Sequence, residues 1–172
     1  MIVSYDLPSP RRRQTKESNM DIALFEPDIA QNTGTLLRLG ACMDVAIHII
    51  EPCGFPFSAK AMRRAAMDYA EHVELHHHID WDHFKIWCDD NSKRLILLTT
   101  KGASALPEFE FRDNDILLLG RESAGVPEHI HELSKGRVYI PMANGMRSLN
   151  VAMAGAMVLS EALRQTGMFP KC

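Results

Sequence analysis

Ile116-Leu117-Leu118-Leu119-Gly120-Arg121-Glu122-Ser123-Ala124-Gly125-Val126-Pro127 sets an uninterrupted apolar run against a loop holding two glycines and closed by a proline. A strand with one wet face alternates apolar and polar side chains. A strand apolar throughout is covered on both faces, as in a parallel sheet flanked by helices. Gly120 and Gly125 allow close approaches that a Cβ forbids. Pro127 suits a helix start, where a missing N–H costs nothing. The stretch therefore reads as strand, shaped loop, helix, and open α/β sheets hold ligands in such loops at the carboxyl ends of strands. It lacks the Gly-x-Gly-x-x-Gly fingerprint, so an ordinary dinucleotide site is not indicated.

Leu95-Ile96-Leu97-Leu98 repeats the apolar pattern upstream. Around these two runs the periodicity predicts strands over 22–25, 45–50, 94–99, 115–119 and 137–140, with a weaker one over 72–76. It predicts helices over 33–43, 58–68, 81–88, 127–134 and 149–166. Alternation of this kind indicates an α/β fold built on a mostly parallel sheet. The 172 residues, 46% hydrophobic and 24% charged, suit one compact domain with a sizeable core. Nothing approaches the roughly 20 apolar residues of a membrane span, and no apolar secretory segment opens the chain, so the expectation is a soluble cytoplasmic protein.

Residues 1–19, with prolines and the basic run Arg11-Arg12-Arg13, read as a leader outside a domain spanning 20–170. The leader is either inert, Met20 then being the true start, or a basic arm that touches RNA phosphates. Cys42, Cys53, Cys88 and Cys172 show no metal-type pairing and read as reduced, incidental thiols. Successive side chains of a strand point to opposite faces, so His76-His77-His78 reads as a solvated strand end, and no metal is expected. A net charge of −3 does not advertise a nucleic-acid binder; an RNA site would be a local basic patch or one assembled from two subunits.

Two further constellations carry polar chemistry. In Asn32-Thr33-Gly34-Thr35-Leu36-Leu37-Arg38, Asn32 reads as a helix N-cap, and Arg38 shares a helical face with Gly34 one turn before it. A capped helix with a surface arginine explains this motif equally well. In Ile140-Pro141-Met142-Ala143-Asn144-Gly145-Met146-Arg147-Ser148-Leu149-Asn150-Val151, Ser148 and Asn150 are candidate caps of a helix carrying Ala152, Ala154, Gly155 and Ala156. Small residues there let another backbone pack closely, while the polar entrance needs a further reason.

The three motifs in this order resemble the SPOUT superfamily of RNA methyltransferases. The likeness is strongest to its single-domain members that methylate the ribose of the tRNA wobble nucleotide. Supporting stretches are Ile22-Ala23-Leu24-Phe25-Glu26-Pro27, Ile49-Ile50-Glu51-Pro52, Arg63-Arg64-Ala65 with Asp68-Tyr69, and Leu98-Thr99-Thr100-Lys101-Gly102. The resemblance implies a Rossmann-like sheet with a deep carboxyl-terminal trefoil knot, a homodimer with the active site near the subunit interface, and S-adenosylmethionine as cofactor. It implies that Leu98, Gly120, Ile140 and Ser148 form the cofactor site and that Arg38 is catalytic. A guanidinium keeps its proton, so the role assigned to Arg38 is to bind the adjacent phosphate and stabilise charge growing on the 2′-oxygen, not to act as base. Much of the catalysis would be positioning, with reacting atoms held about 3–3.5 Å apart. Lys60, Arg63, Arg64, Arg121 and Arg147 are candidate RNA contacts toward a tRNA anticodon stem-loop. Methylation of ribosomal RNA or of another tRNA position, a catalytically silent RNA-binding protein of the same fold, and a flavodoxin-like nucleotide module are the alternatives.

Overall fold

The computed structural model describes residues 20–56, 69 and 72–171. The leader 1–19, the helix expected over 58–68, and with it Lys60, Arg63 and Arg64 lie outside the described residues. The elements run β1 (Asp21–Phe25), α1 (Ala30–Met43), β2 (Ala46–Ile50), β3 (Leu75–His78), α2 (Trp81–Asp90), β4 (Arg94–Leu98) and β5 (Ser104–Ala105). They continue through β6 (Asp115–Leu119), α3 (Glu128–Leu133), β7 (Gly136–Tyr139) and α4 (Val151–Thr166).

Among the described residues the strands form one parallel sheet ordered β3-β2-β1-β6-β4-β7-β5. From β1 the chain builds outward through β2 and β3, then crosses to the other side, so the order reverses between β1 and β6. The apolar strands do what their composition demands. On one face Ile22, Leu24, Ile47, Ile96, Leu117 and Leu119 pack with Leu36 and Leu37 of α1 and with Val158, Leu159 and Leu163 of α4. On the other, Ala23, Phe25, Leu97, Ile116 and Leu118 meet Phe84 and Cys88 of α2 and Ile130 of α3. Gly155 lets α4 lie against the sheet and α1: a Cβ there would stand 3.0 Å from both Leu119 and Leu36 side-chain carbons. At the opposite end of β6, buried Asp115 takes a two-pronged pair from Arg94, with Nη2 at 2.7 Å from Oδ2.

Two local expectations change. Asn32 is not the cap of α1, which begins at Ala30 after Ile29 with no side-chain cap; its amide is used elsewhere, as described below. The histidine run is not a solvated strand end. It forms edge strand β3, which pairs parallel with β2 (His48 opposite His76) and is covered by α2. His48 stacks on His76 with centroids 4.5 Å apart, its Nδ1 is 2.9 Å from His78 Nε2, and Trp87 and Phe84 close over them. On its far side His48 faces Asp21, which Lys93 pairs at 2.5 Å. The alternation argument still holds, since His77 points away toward Glu51, 3.1 Å distant.

This cluster sets an acid limit on stability. Burial, with neighbouring His48 and His76, pulls the His78 imidazole down to about 3, and burial also lowers His48. In the unfolded chain both return to about 6.5. Below that pH the unfolded state takes up protons that the folded state refuses, so stability falls, by up to about 1.4 kcal/mol per pH unit for each such group. Denaturant titrations between pH 8 and 5 should show this loss beginning near pH 6.5, with a shallower slope in His78→Leu. A slope unchanged by that substitution would contradict the assignment.

Candidate active site

The carboxyl ends of β4, β6 and β7 open into a cavity of about 890 Å³, a volume suited to a cofactor-sized ligand. Leu98 ends β4 at its wall, Gly120 follows β6, Ile140 follows β7, and Ser148 stands on the segment returning toward α4; all four line the cavity. Residues separated by fifty positions are thus brought together by strand order and by the segment that returns toward α4. Arg121 lines it too, and Arg147 is exposed beside Ser148.

The loop after β6 is closed on itself by backbone. Arg121 and Gly125 exchange hydrogen bonds, Arg121 N donating to Gly125 O at 3.1 Å and Gly125 N to Arg121 O at 2.8 Å. Gly125 takes a left-handed φ of 68°, which glycine adopts without strain. Glu26, just past β1, also has a left-handed φ, 44°, and its carboxylate pairs with Arg121 Nη1 at 3.1 Å. Arg121 is therefore committed to an ion pair, with its guanidinium 5.7 Å from the Phe25 ring centroid.

A side-chain relay joins the three motifs. Asn32 donates to Glu122 Oε1 at 2.9 Å, and Asn150 donates to Asn32 Oδ1 at 2.9 Å. Asn150 in turn caps α4, its Oδ1 accepting from the amides of Ala152 (2.9 Å) and Met153 (3.2 Å). Glu122 is pushed up from its ordinary value by burial and by the adjoining Asp28. Asp28 itself had no signal in the sequence beyond an acid placed just before a helix. Tyr139, which also lines the cavity, was equally silent, and Lys101 was visible only as part of the stretch 98–102.

Arg38 does not line the cavity. It projects, exposed, from α1, with its guanidinium 4.7 Å from the ring centroid of Tyr69. A cation over an aromatic face is held by the ring's quadrupole, so Tyr69 restricts where Arg38 can reach. No group of side chains suited to a metal occurs among the described residues.

Residues 19–160 match the SpoU rRNA Methylase family. The chain belongs to that family. It is 52% identical over 150 residues to a tRNA (cytidine(34)-2'-O)-methyltransferase of Ancylobacter novellus, covering 87% of this chain and 95% of that one. A solved structure concerned with the 2-OH methylation of C/U34 on tRNA superposes with a TM-score of 0.80 at 34% identity, covering 87% of this chain and 97% of its own. The SpoU methyltransferase AviRb from Streptomyces viridochromogenes, solved in complex with AdoMet, shares the fold at TM-score 0.79 and 22% identity, covering 88% and 62% of the two chains. No helix among the described residues is long and apolar enough to cross a membrane.

Proposed function

We propose that the chain transfers a methyl group from S-adenosylmethionine to the ribose 2′-hydroxyl of the wobble nucleotide, cytidine or modified uridine, of tRNA, with leucine isoacceptors as substrates. The observation that carries this reading is the cavity walled by Leu98, Gly120, Ile140 and Ser148 in a chain 52% identical to a tRNA (cytidine(34)-2'-O)-methyltransferase. Its size and its mix of apolar and polar lining residues suit a nucleoside-type cofactor. When bound, S-adenosylmethionine supplies an electrophilic methyl group. Leu98 and Ile140 offer the apolar wall, Gly120 allows backbone to approach, and Ser148 offers a hydroxyl. Arg38 grips the phosphate beside the target ribose and stabilises negative charge on its oxygen, leaving the proton to phosphate or water.

The working unit in this reading is a homodimer. Leu149, Met153 and Met157 are spaced by four and exposed, and Leu149, Ile29 and Met146, also exposed, line the cavity. An apolar stripe running into a cavity mouth suits burial against a second copy, which would complete the site. Met153→Asp should yield monomers by light scattering and lose methyl transfer; an active monomer would contradict this arrangement. The segment returning from β7 to α4 is read as the threaded part of a deep trefoil knot, since α4 packs back on α1 and β6. The domain is taken as 20–170 with 1–19 as leader, working in the cytoplasm, where Cys42, Cys53 and Cys88 stay free thiols.

The anticodon stem-loop would meet Lys60, Arg63, Arg64 and Arg147, with Arg121 reaching RNA only by leaving Glu26. Affinity for tRNA should then fall steeply with added salt; a flat dependence would contradict phosphate recognition. A second reading, methylation of ribosomal RNA, is favoured by the family's description. Labelled methyl groups offered with both RNAs decide: label in leucine tRNA supports the first reading, and label in ribosomal RNA alone supports the second.

A further inference from the structure

Asp28 lies between β1 and α1, 94 residues from Glu122, yet its side chain accepts three hydrogen bonds from the loop that follows β6. Its Oδ1 accepts from the Glu122 amide at 3.1 Å, and its Oδ2 accepts from the Ser123 amide at 3.3 Å and from the Ser123 hydroxyl. The exchange is reciprocal: the Asp28 amide donates to Glu122 Oε2 at 3.1 Å. Two carboxylates thus each hold the other's backbone. Glu122 uses its second oxygen for Asn32, in the first turn of the helix that carries Arg38.

The clasp is braced from behind. Gly54 N donates to Pro27 O at 2.9 Å, and a Cβ at Gly54 would come within 2.6 Å of Asp28 Cβ and 2.8 Å of its Cα. The Gly54 backbone therefore packs directly against Asp28. Its contacts with Glu122 hold the Asp28 carboxyl down to about 2 against the opposing effect of burial, with Ser123 adding to them. The acceptor stays charged at any working pH, and hydrogen bonds to a charged acceptor are the strong ones.

We propose that Asp28 is a positioning residue that holds the loop 120–125 in the shape that receives the cofactor and fixes that loop relative to α1. The proposal rests on the reading of the cavity as the S-adenosylmethionine site. A loop of six residues with two glycines has little stiffness of its own, since the Arg121–Gly125 bridge closes it but does not anchor it. Asp28 anchors it, beside the Arg121–Glu26 ion pair, and the relay through Glu122 and Asn32 carries the position to the helix bearing Arg38.

The test measures S-adenosylhomocysteine affinity by calorimetry and amide hydrogen exchange in the full chain and in Asp28→Ala, Asp28→Asn and Ser123→Ala. The expected result is a dissociation constant raised about tenfold or more in Asp28→Ala, with partial recovery in Asp28→Asn, which keeps one acceptor. Exchange should quicken at 121–124 while β1 and β6 stay protected. A structural role alone would lower the melting temperature and leave the folded protein's affinity intact. Wild-type affinity and wild-type exchange in a folded Asp28→Ala would overturn the proposal. If that variant does not fold, unchanged affinity in both Asp28→Asn and Ser123→Ala would overturn it equally. A parent chain that binds no S-adenosylhomocysteine overturns the cavity reading instead, and the exchange at 121–124 still decides whether Asp28 holds the loop.

Discussion

Arg38→Ala is expected to lower the rate of methyl transfer about a hundred- to a thousandfold while leaving cofactor affinity within about twofold. Arg38 stands outside the cavity wall, so its loss removes nothing that the cofactor touches. On the proposed role, what it removes is a positive charge beside the oxygen on which negative charge develops, a contribution made in the transition state and not in the ground state. Tyr69 sharpens the expectation, because a guanidinium 4.7 Å from the ring centroid is held in a narrow range of positions. Arg38→Lys keeps the charge but loses the planar fork that grips a phosphate, and should recover only part of the rate. Tyr69→Leu should lower turnover with little effect on cofactor binding, and Tyr69→Phe should restore it. Equal losses of turnover and cofactor affinity in Arg38→Ala would reject the charge-stabilising role.

Gly120→Ala should abolish useful cofactor binding, raising the dissociation constant by about a hundredfold or more. The methyl group would stand 2.7 Å from the carbonyl carbon of Gly125 and 2.9 Å from its Cα. Those atoms belong to backbone held by the Arg121–Gly125 hydrogen bonds, so no flexible side chain can yield, and the loop must open. Gly125→Ala is the informative control. Nothing lies within 4 Å of a Cβ there, and the cost is only the left-handed φ of 68°, about 1–2 kcal/mol. Titration calorimetry on the two variants should rank Gly120→Ala far below Gly125→Ala; the reverse order would contradict the close-packed loop.

Elements whose residues state their burial were legible in the sequence. Leu95-Ile96-Leu97-Leu98 and Ile116-Leu117-Leu118-Leu119 admit no wet face, and both are interior strands of the parallel sheet. Asn150 behaved as a cap because its neighbours are local amides. Asn32 did not, because its partners are 90 and 118 residues away and no local pattern encodes them. Strand β5, with two residues, is too short to leave a periodic trace. The histidines of β3 misled because burial by Trp87 and Phe84 depends on where α2 docks. The loop after β6 was visible as a shaped turn at the carboxyl end of a strand, whereas Asp28 and the pairing of Arg121 with Glu26 arise only once β1 and β6 lie side by side.

The central claim is tested most directly by giving the purified protein S-adenosylmethionine and tRNA from cells lacking this enzyme, then mapping the product by nuclease digestion and mass spectrometry. The account predicts one added methyl group, on the ribose of the wobble nucleotide of leucine tRNA, and far less of it in the same time with Arg38→Ala. A methyl group on a base, or on a ribose elsewhere in the tRNA, would contradict it.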